Sequence, residues 1–244
     1  MTALYKKDLA SYFYSPFAYA VCGLFMLVFS LSFVYGLSGI TSLEFKFSFP
    51  DVFYNNFYYF IFIIPMLTMK SFAEERKTGT ETLLFSSPIS ISSIVSAKFL
   101  AVSTVFGLMI ALSLIYPTVT AVVGGVSVSR LICSYIGFIC MGLFCISVGL
   151  LASSLTDNPI IAAAIGEGAM LILLFADFLS GTSFIRSNNI LSFIFFWFST
   201  RRRFDKFTLG VFSLSDVVFY LTGIAVVLIW IIIFMARRRD RRGK

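Results

Sequence analysis

Residues 217–236, VVFYLTGIAVVLIWIIIFMA, contain no charged side chain, and RRRDRR follows at 237–242. A hydrocarbon core of roughly 30 Å is crossed by about 20 residues of helix. The stretch therefore reads as a complete membrane span closed by a basic anchor at an anionic leaflet. The rest of the chain agrees: its 244 residues are 59% hydrophobic and 13% charged, with 30 Phe and a mean hydropathy of +0.94. A soluble domain of this size needs a polar shell that such a composition cannot supply. The chain reads as an all-α integral membrane protein.

On the same criterion five further spans are expected, at about 17–38, 52–69, 99–123, 131–153 and 159–180, making six transmembrane helices. The second is the weakest, because Asn55 and Asn56 interrupt it and Pro65 lies near its end. Residues 190–199, ILSFIFFWFS, are too few to span, so 181–215 is expected to be an extracytoplasmic re-entrant or surface segment. The last span then starts from SLSD, where Ser213 and Asp216 have capping-box spacing. Residues 1–16 are expected to form an interfacial helix, with Tyr5, Leu9, Tyr12 and Phe13 on one face and Lys6, Lys7 and Asp8 elsewhere. The first span begins too late, and lacks the small-residue cleavage pattern, for a signal peptide. A single domain over 1–244 follows: spans one and two in 17–70, a polar segment at 71–90, spans three to five in 91–180, the re-entrant region at 181–215, span six at 216–236 and a basic tail at 237–244.

Loop charges set the orientation. With the N-terminus in the cytoplasm, twelve basic residues fall inside, namely Lys6, Lys7, Lys70, Arg76, Lys77, Lys98 and the six of ARRRDRRGK, against seven outside. Both termini are expected to be cytoplasmic in a bacterial inner membrane.

Much chemistry is excluded. The chain has no His, so neither an HExxH zinc site nor an imidazole-activated nucleophile can form. Gly36-Leu37-Ser38-Gly39 matches the GxSG form of an intramembrane serine protease, but without a histidine base it reads as a glycine-rich helix end. Cys22, Cys133, Cys140 and Cys145 lie within apolar runs without CxxC spacing and read as packed small hydrophobes. There is no GxxxxGK[ST] phosphate loop, and no basic stretch interleaved with aromatics offers a nucleic-acid surface. No catalytic residue, metal site or bound cofactor is expected. Inside the spans, Glu167 in GEGAM carries an insertion cost on the order of 3 kcal/mol, so it should face a bundle interior or cavity, either as tolerated packing or as a pathway or dimer contact. Asp177, nearer the outer end of the same helix, can reach water and is the lesser candidate for a pathway or dimer contact.

The longest stretch with both dense charge and a strong helix pattern is FAEERKTGTETLLFSSPIS, residues 72–90. SFAEERK continues span two as a charged helix, and Gly79 permits a break. Thr78 and Glu81 have capping-box spacing, and a short helix, ETLLFSS, ends at Pro88. Such a helix is marginal alone and needs a partner or the membrane surface.

The longer string KSFAEERKTGTETLLFSSPISISSIVSAKFLA resembles the cytoplasmic segment of ABC-2 type permeases, the membrane subunits of a class of ABC transporters. The resemblance rests on Glu75-Arg76, Gly79-Thr80, Glu81 or Thr82 through Leu83-Leu84, Pro88, Ser90 and Lys98. KKDLASYFYSPFAY, GLLASSLTDNPIIAAA and RRRFDKFTLGVFSLSDVVFYL extend it and resemble the branch of gliding-motility-associated and sodium-exporter permeases. The resemblance implies that 72–90 carries a coupling helix docking on a separate ATP-binding subunit. The site residues are then Glu74, Glu75, Arg76, Lys77, Gly79, Thr80, Glu81, Leu83, Leu84 and Pro88, with Leu83–Leu84 as the docking face. It further implies that ATP and Mg bind only on that partner, and that the chain pairs with a second permease, a copy or a paralogue, among membrane lipids. Two other readings stand beside it: an ion-coupled secondary transporter or channel using Glu167, and a non-transporting anchor of an ATPase-driven envelope machine.

Overall fold

The computed structural model describes residues 1–38, 52, 60–123, 127–180 and 200–242, and all of the regular secondary structure among them is helical. In chain order the helices are α1 (Thr2–Tyr14), α2 (Pro16–Ser38), α3 (Phe60–Thr68), α4 (Lys70–Lys77), α5 (Thr80–Ser86), α6 (Ile91–Ser113), α7 (Ile115–Val123), α8 (Val128–Leu155), α9 (Pro159–Ser180), α10 (Thr200–Thr208) and α11 (Leu214–Arg242). Among the described residues, four stretches are long and apolar enough to cross a membrane: Pro16–Gly36, Ile91–Ala121, Val128–Leu155 and Leu214–Asp240. The expected fifth span coincides with α9, in which Pro159–Leu173 is apolar among the residues whose side chains are described. Most of the first half of the expected second span, and residues 181–199 of the expected re-entrant region, lie outside the described residues.

α8 is the centre of the bundle, with α3, α4, α6, α9, α10 and α11 packed around it. Small residues along it set that role, because lipid tails are as apolar as leucine and helices in a membrane gain by close approach rather than by apolarity. A side chain at Gly137 would collide with Phe207 of α10, at Gly142 with Phe106 of α6, and at Gly149 with Thr68 of α3. The complement is Gly223 of α11, where a Cβ would come 2.8 Å from the Phe144 ring of α8. Large rings fill what the glycines open: Phe60, Phe106 and Phe138 form one cluster, with the Phe60 and Phe138 centroids 4.4 Å apart.

Two breaks follow from proline. Ser15 is extended (φ −93°, ψ 125°) ahead of Pro16, which starts α2 at a position where no N–H is needed. Pro117 has no N–H for the Ser113 carbonyl one turn back, and the helix breaks between them, at Leu114. The Tyr135 hydroxyl of α8 donates to that carbonyl at 3.3 Å.

α1 differs from the expected interfacial helix in the face it buries. Leu4, Asp8 and Tyr12 turn inward, whereas Phe13 is exposed. The helix packs mainly on α6, and Tyr12 donates to the Leu67 carbonyl at 3.0 Å. Asp8 therefore belongs to the interior for a reason that amphipathic spacing does not capture: it faces a buried lysine.

Candidate functional site

α3 and α4 are nearly continuous, with a break at Met69, which offers no side-chain cap. The cap comes from another helix. The Ser153 hydroxyl of α8 accepts from the backbone N–H of Phe72 (3.1 Å) and Ala73 (3.2 Å), and donates to the Met69 carbonyl (3.0 Å). Two of the orphan donors at the start of α4 are thus satisfied by a side chain 80 residues away in sequence. α4 ends where Gly79 adopts φ +75°, a left-handed conformation that only glycine enters without cost.

Thr78 and Glu81 do not form the expected capping box. Gly79 is the N-cap of α5 and makes no side-chain cap bond; the Thr78 hydroxyl donates back to the Glu74 carbonyl at 2.9 Å. Glu81 is taken by a stronger partner, the guanidinium of Arg76, at 3.0 Å from Nε, with side chains only 1% and 3% exposed. A charge-assisted bond between two buried ions outweighs a cap to a neutral N–H.

Glu75 and Arg76, adjacent in sequence, lie in different charge clusters. Glu75 meets Lys98 of α6 (2.8 Å) and Lys7 of α1 (3.2 Å), while Lys98 also donates to the Ser71 carbonyl (2.6 Å) and lies 3.7 Å from Asp8. Burial raises the Asp8 pKa above the ordinary carboxylate value, against the pull of Lys98. Lys98 lies two turns into α6 rather than at its start, 5.2 Å from the Phe72 ring centroid. In the second cluster Arg76 reaches the Thr156 carbonyl (3.4 Å) and Asp157 (3.9 Å) in the α8–α9 turn, and Arg238 of α11 bridges Asp157 (3.2 Å) and Glu81 (3.9 Å). Burial pulls the Arg76 pKa down, and the bond to Glu81 works against that shift.

The remaining expected residues divide by exposure. Glu74, Lys77, Gly79, Thr80, Leu83 and Pro88 face outward, Leu83 with 73% of its surface free. Leu84 is half-buried against the core and Phe85 is buried, so α5 is held by Phe85 and Glu81 and presents Leu83. On α5 the outward strip is one apolar residue among the exposed Thr80, Thr82 and Ser86, the form of a small docking surface. Residues missed by spacing alone are Ser153, Asp157 and Arg238. Asp157 reads as turn chemistry and Arg238 as anchor charge until the fold joins them.

Glu167 is half-buried on α9, about twelve ångströms along the helix from its start. Asp177 lies on the same helix, but its side chain is outside the described residues. Among the described residues no group of His, Cys, Asp or Glu could hold a metal ion. At the end of the bundle away from α5, Asp216 of α11 is 1% exposed and paired with Arg203 (2.7 Å) and Lys206 (3.1 Å) of α10. This gives the RRRFDKF stretch a structural partner.

A family model described as ABC-2 family transporter protein matches residues 45–236. No curated protein matches the chain. The match covers most of the bundle, including α4, α5 and both charge clusters apart from Lys7, Asp8 and Arg238. By this match, over an all-helical bundle with several membrane-crossing helices, the chain belongs to the ABC-2 family of transporter proteins, as a multi-pass membrane permease.

Proposed function

We propose that the chain is the permease subunit of an ATP-driven exporter, moved by a separate ATP-binding subunit that docks on α5. ATP and Mg bind only on that partner. Six spans per chain, both termini in the cytoplasm of a bacterial inner membrane and pairing with a second permease complete the reading. Glu167 serves the pathway or the contact between permeases. ATP binding draws the two ATP-binding subunits together, and the attached α5 helices shift the bundle between two accessible states.

The observation that carries the reading is α5 itself. A seven-residue helix is marginal in isolation. Here it is fixed from behind by Phe85 and the buried Arg76–Glu81 pair, while Leu83 is left bare beside the exposed Thr80, Thr82 and Ser86. Exposed apolar anchors backed by a rigid mount are what a groove on a partner can grip. Co-expression with the ATP-binding protein from the same operon tests it. Wild-type chain should retain that protein through affinity purification, and Leu83→Asp should lower retention about tenfold or more, the effect of losing a hot-spot contact, with unchanged membrane insertion. Full retention by Leu83→Asp would remove α5 from the interface.

A further inference from the structure

We infer that Arg238 and Asp157 are positioning residues that carry movement of α5 into α11, making the last helix the rod that reports nucleotide state to the opposite end of the bundle. This deepens the coupling reading above and rests on it. Beyond the buried Phe85 and the Gly79 link to α4, two routes lead from α5 into the bundle. The covalent route forward runs through Ser87, which is extended (ψ 151°), then Pro88 and Ile89 to the cap of α6 at Ser90. A non-helical connection of this kind yields before it pushes.

The second route is electrostatic and leads elsewhere. Glu81, in the first turn of α5, is held on one oxygen by Arg76 (3.0 Å), and its other oxygen faces Nε of Arg238 (3.9 Å). The Nη2 of the same guanidinium reaches Asp157 (3.2 Å), so one planar fork spans α5 and the α8–α9 turn. Arg239, the next residue, donates to the Ile89 carbonyl at 3.4 Å, and Met235, one turn back, is buried with its sulfur 3.5 Å from Arg76. Met235, Arg238 and Arg239, within little more than one turn of α11, thus hold Arg76, Glu81 and the connection that follows α5.

What they grip is one continuous helix, Leu214–Arg242. From Arg238 it runs about 33 Å to Asp216, where Arg203 and Lys206 of α10 pin it. A shift of α5 is therefore delivered to α10 through a single continuous helix.

Hydrogen exchange on the purified complex with its ATP-binding subunit, in lipid nanodiscs with and without Mg-ATP and vanadate, tests this. Wild type should change exchange in both 79–87 and 212–218. Arg238→Gln should keep the change in 79–87 and lose at least fivefold of that in 212–218. Arg238→Lys, which keeps the charge but not the fork, should fall between. Asp157→Asn, at a side chain 67% exposed, provides the same test should Arg238→Gln fail to assemble. A nucleotide response in 212–218 within twofold of wild type, with 79–87 responding, overturns the inference and leaves the coupling reading intact. Loss of both responses overturns it too, because Arg238 would then hold the docking site rather than transmit from it. A wild-type complex with no response in 79–87 removes the coupling reading and the inference together.

Discussion

At the residue scale, charges that look alike in sequence do different things. Arg76 and Glu81 are buried ions joined to one another, whereas Glu74 and Lys77 are exposed. Removing one partner of a buried pair leaves an uncompensated charge, so Arg76→Ala should cost about 3–5 kcal/mol. Arg76→Met with Glu81→Leu should recover most of that, because an apolar pair of similar volume carries no desolvation penalty. Denaturant titration in detergent micelles reads both. Asp8 gives a pH dependence. Its pKa is raised, chiefly by burial, so its contribution to stability is fully present below the ordinary carboxylate value and is lost as pH rises through the raised one. Asp8→Asn, which mimics the protonated form, should be more stable than wild type at neutral pH. The difference should vanish in acid, as thermal melts across pH would record.

At the scale of elements, the ends of helices are decided by partners more than by local caps. α4 starts on the Ser153 hydroxyl, α5 starts after a left-handed glycine, and the α6–α7 break is closed by Tyr135. The last case can be tested without touching the core outline. Tyr135→Phe leaves the Ser113 carbonyl without its donor and should cost about 1 kcal/mol. In a Pro117→Ala background the restored N–H can serve that carbonyl, so the same substitution should cost less. A double-mutant cycle measured by thermal unfolding in nanodiscs decides it. An unchanged penalty would show that Tyr135 acts through packing alone.

At the scale of the whole molecule, one helix organises the rest. The glycines of α8 admit Phe207, Phe106 and Thr68 from three different helices, and Ser153 on the same helix mounts the segment proposed to meet the ATPase. Topology belongs to this scale. Reporter fusions after Lys7, within 79–82 and after Lys244 should all report the cytoplasmic side, and a fusion after Thr208 the opposite side. A Thr208 fusion on the cytoplasmic side would contradict six spans.

By itself the sequence determined that this is a helical membrane protein. Long uncharged runs such as 217–236 leave helices as the form in which a single segment satisfies its own backbone in lipid, and the left-handed break at Gly79 was legible because few residues but glycine permit it. The motif at 72–90 was legible for the same reason, as a dense polar stretch in an apolar chain. Only the tertiary structure decided which of its charges face out. A helical period assigns residues to faces but cannot say what covers each face. Arg76 turns inward because the carboxylates of Glu81 and Asp157 meet it from α5 and the α8–α9 turn, both shared with Arg238 of α11, and Asp8 because Lys98 lies opposite. Those partners lie far apart along the chain, Asp157 and Arg238 by 81 residues, so no local pattern could have paired them; burial, which leaves no ion without a counter-ion at low cost, did.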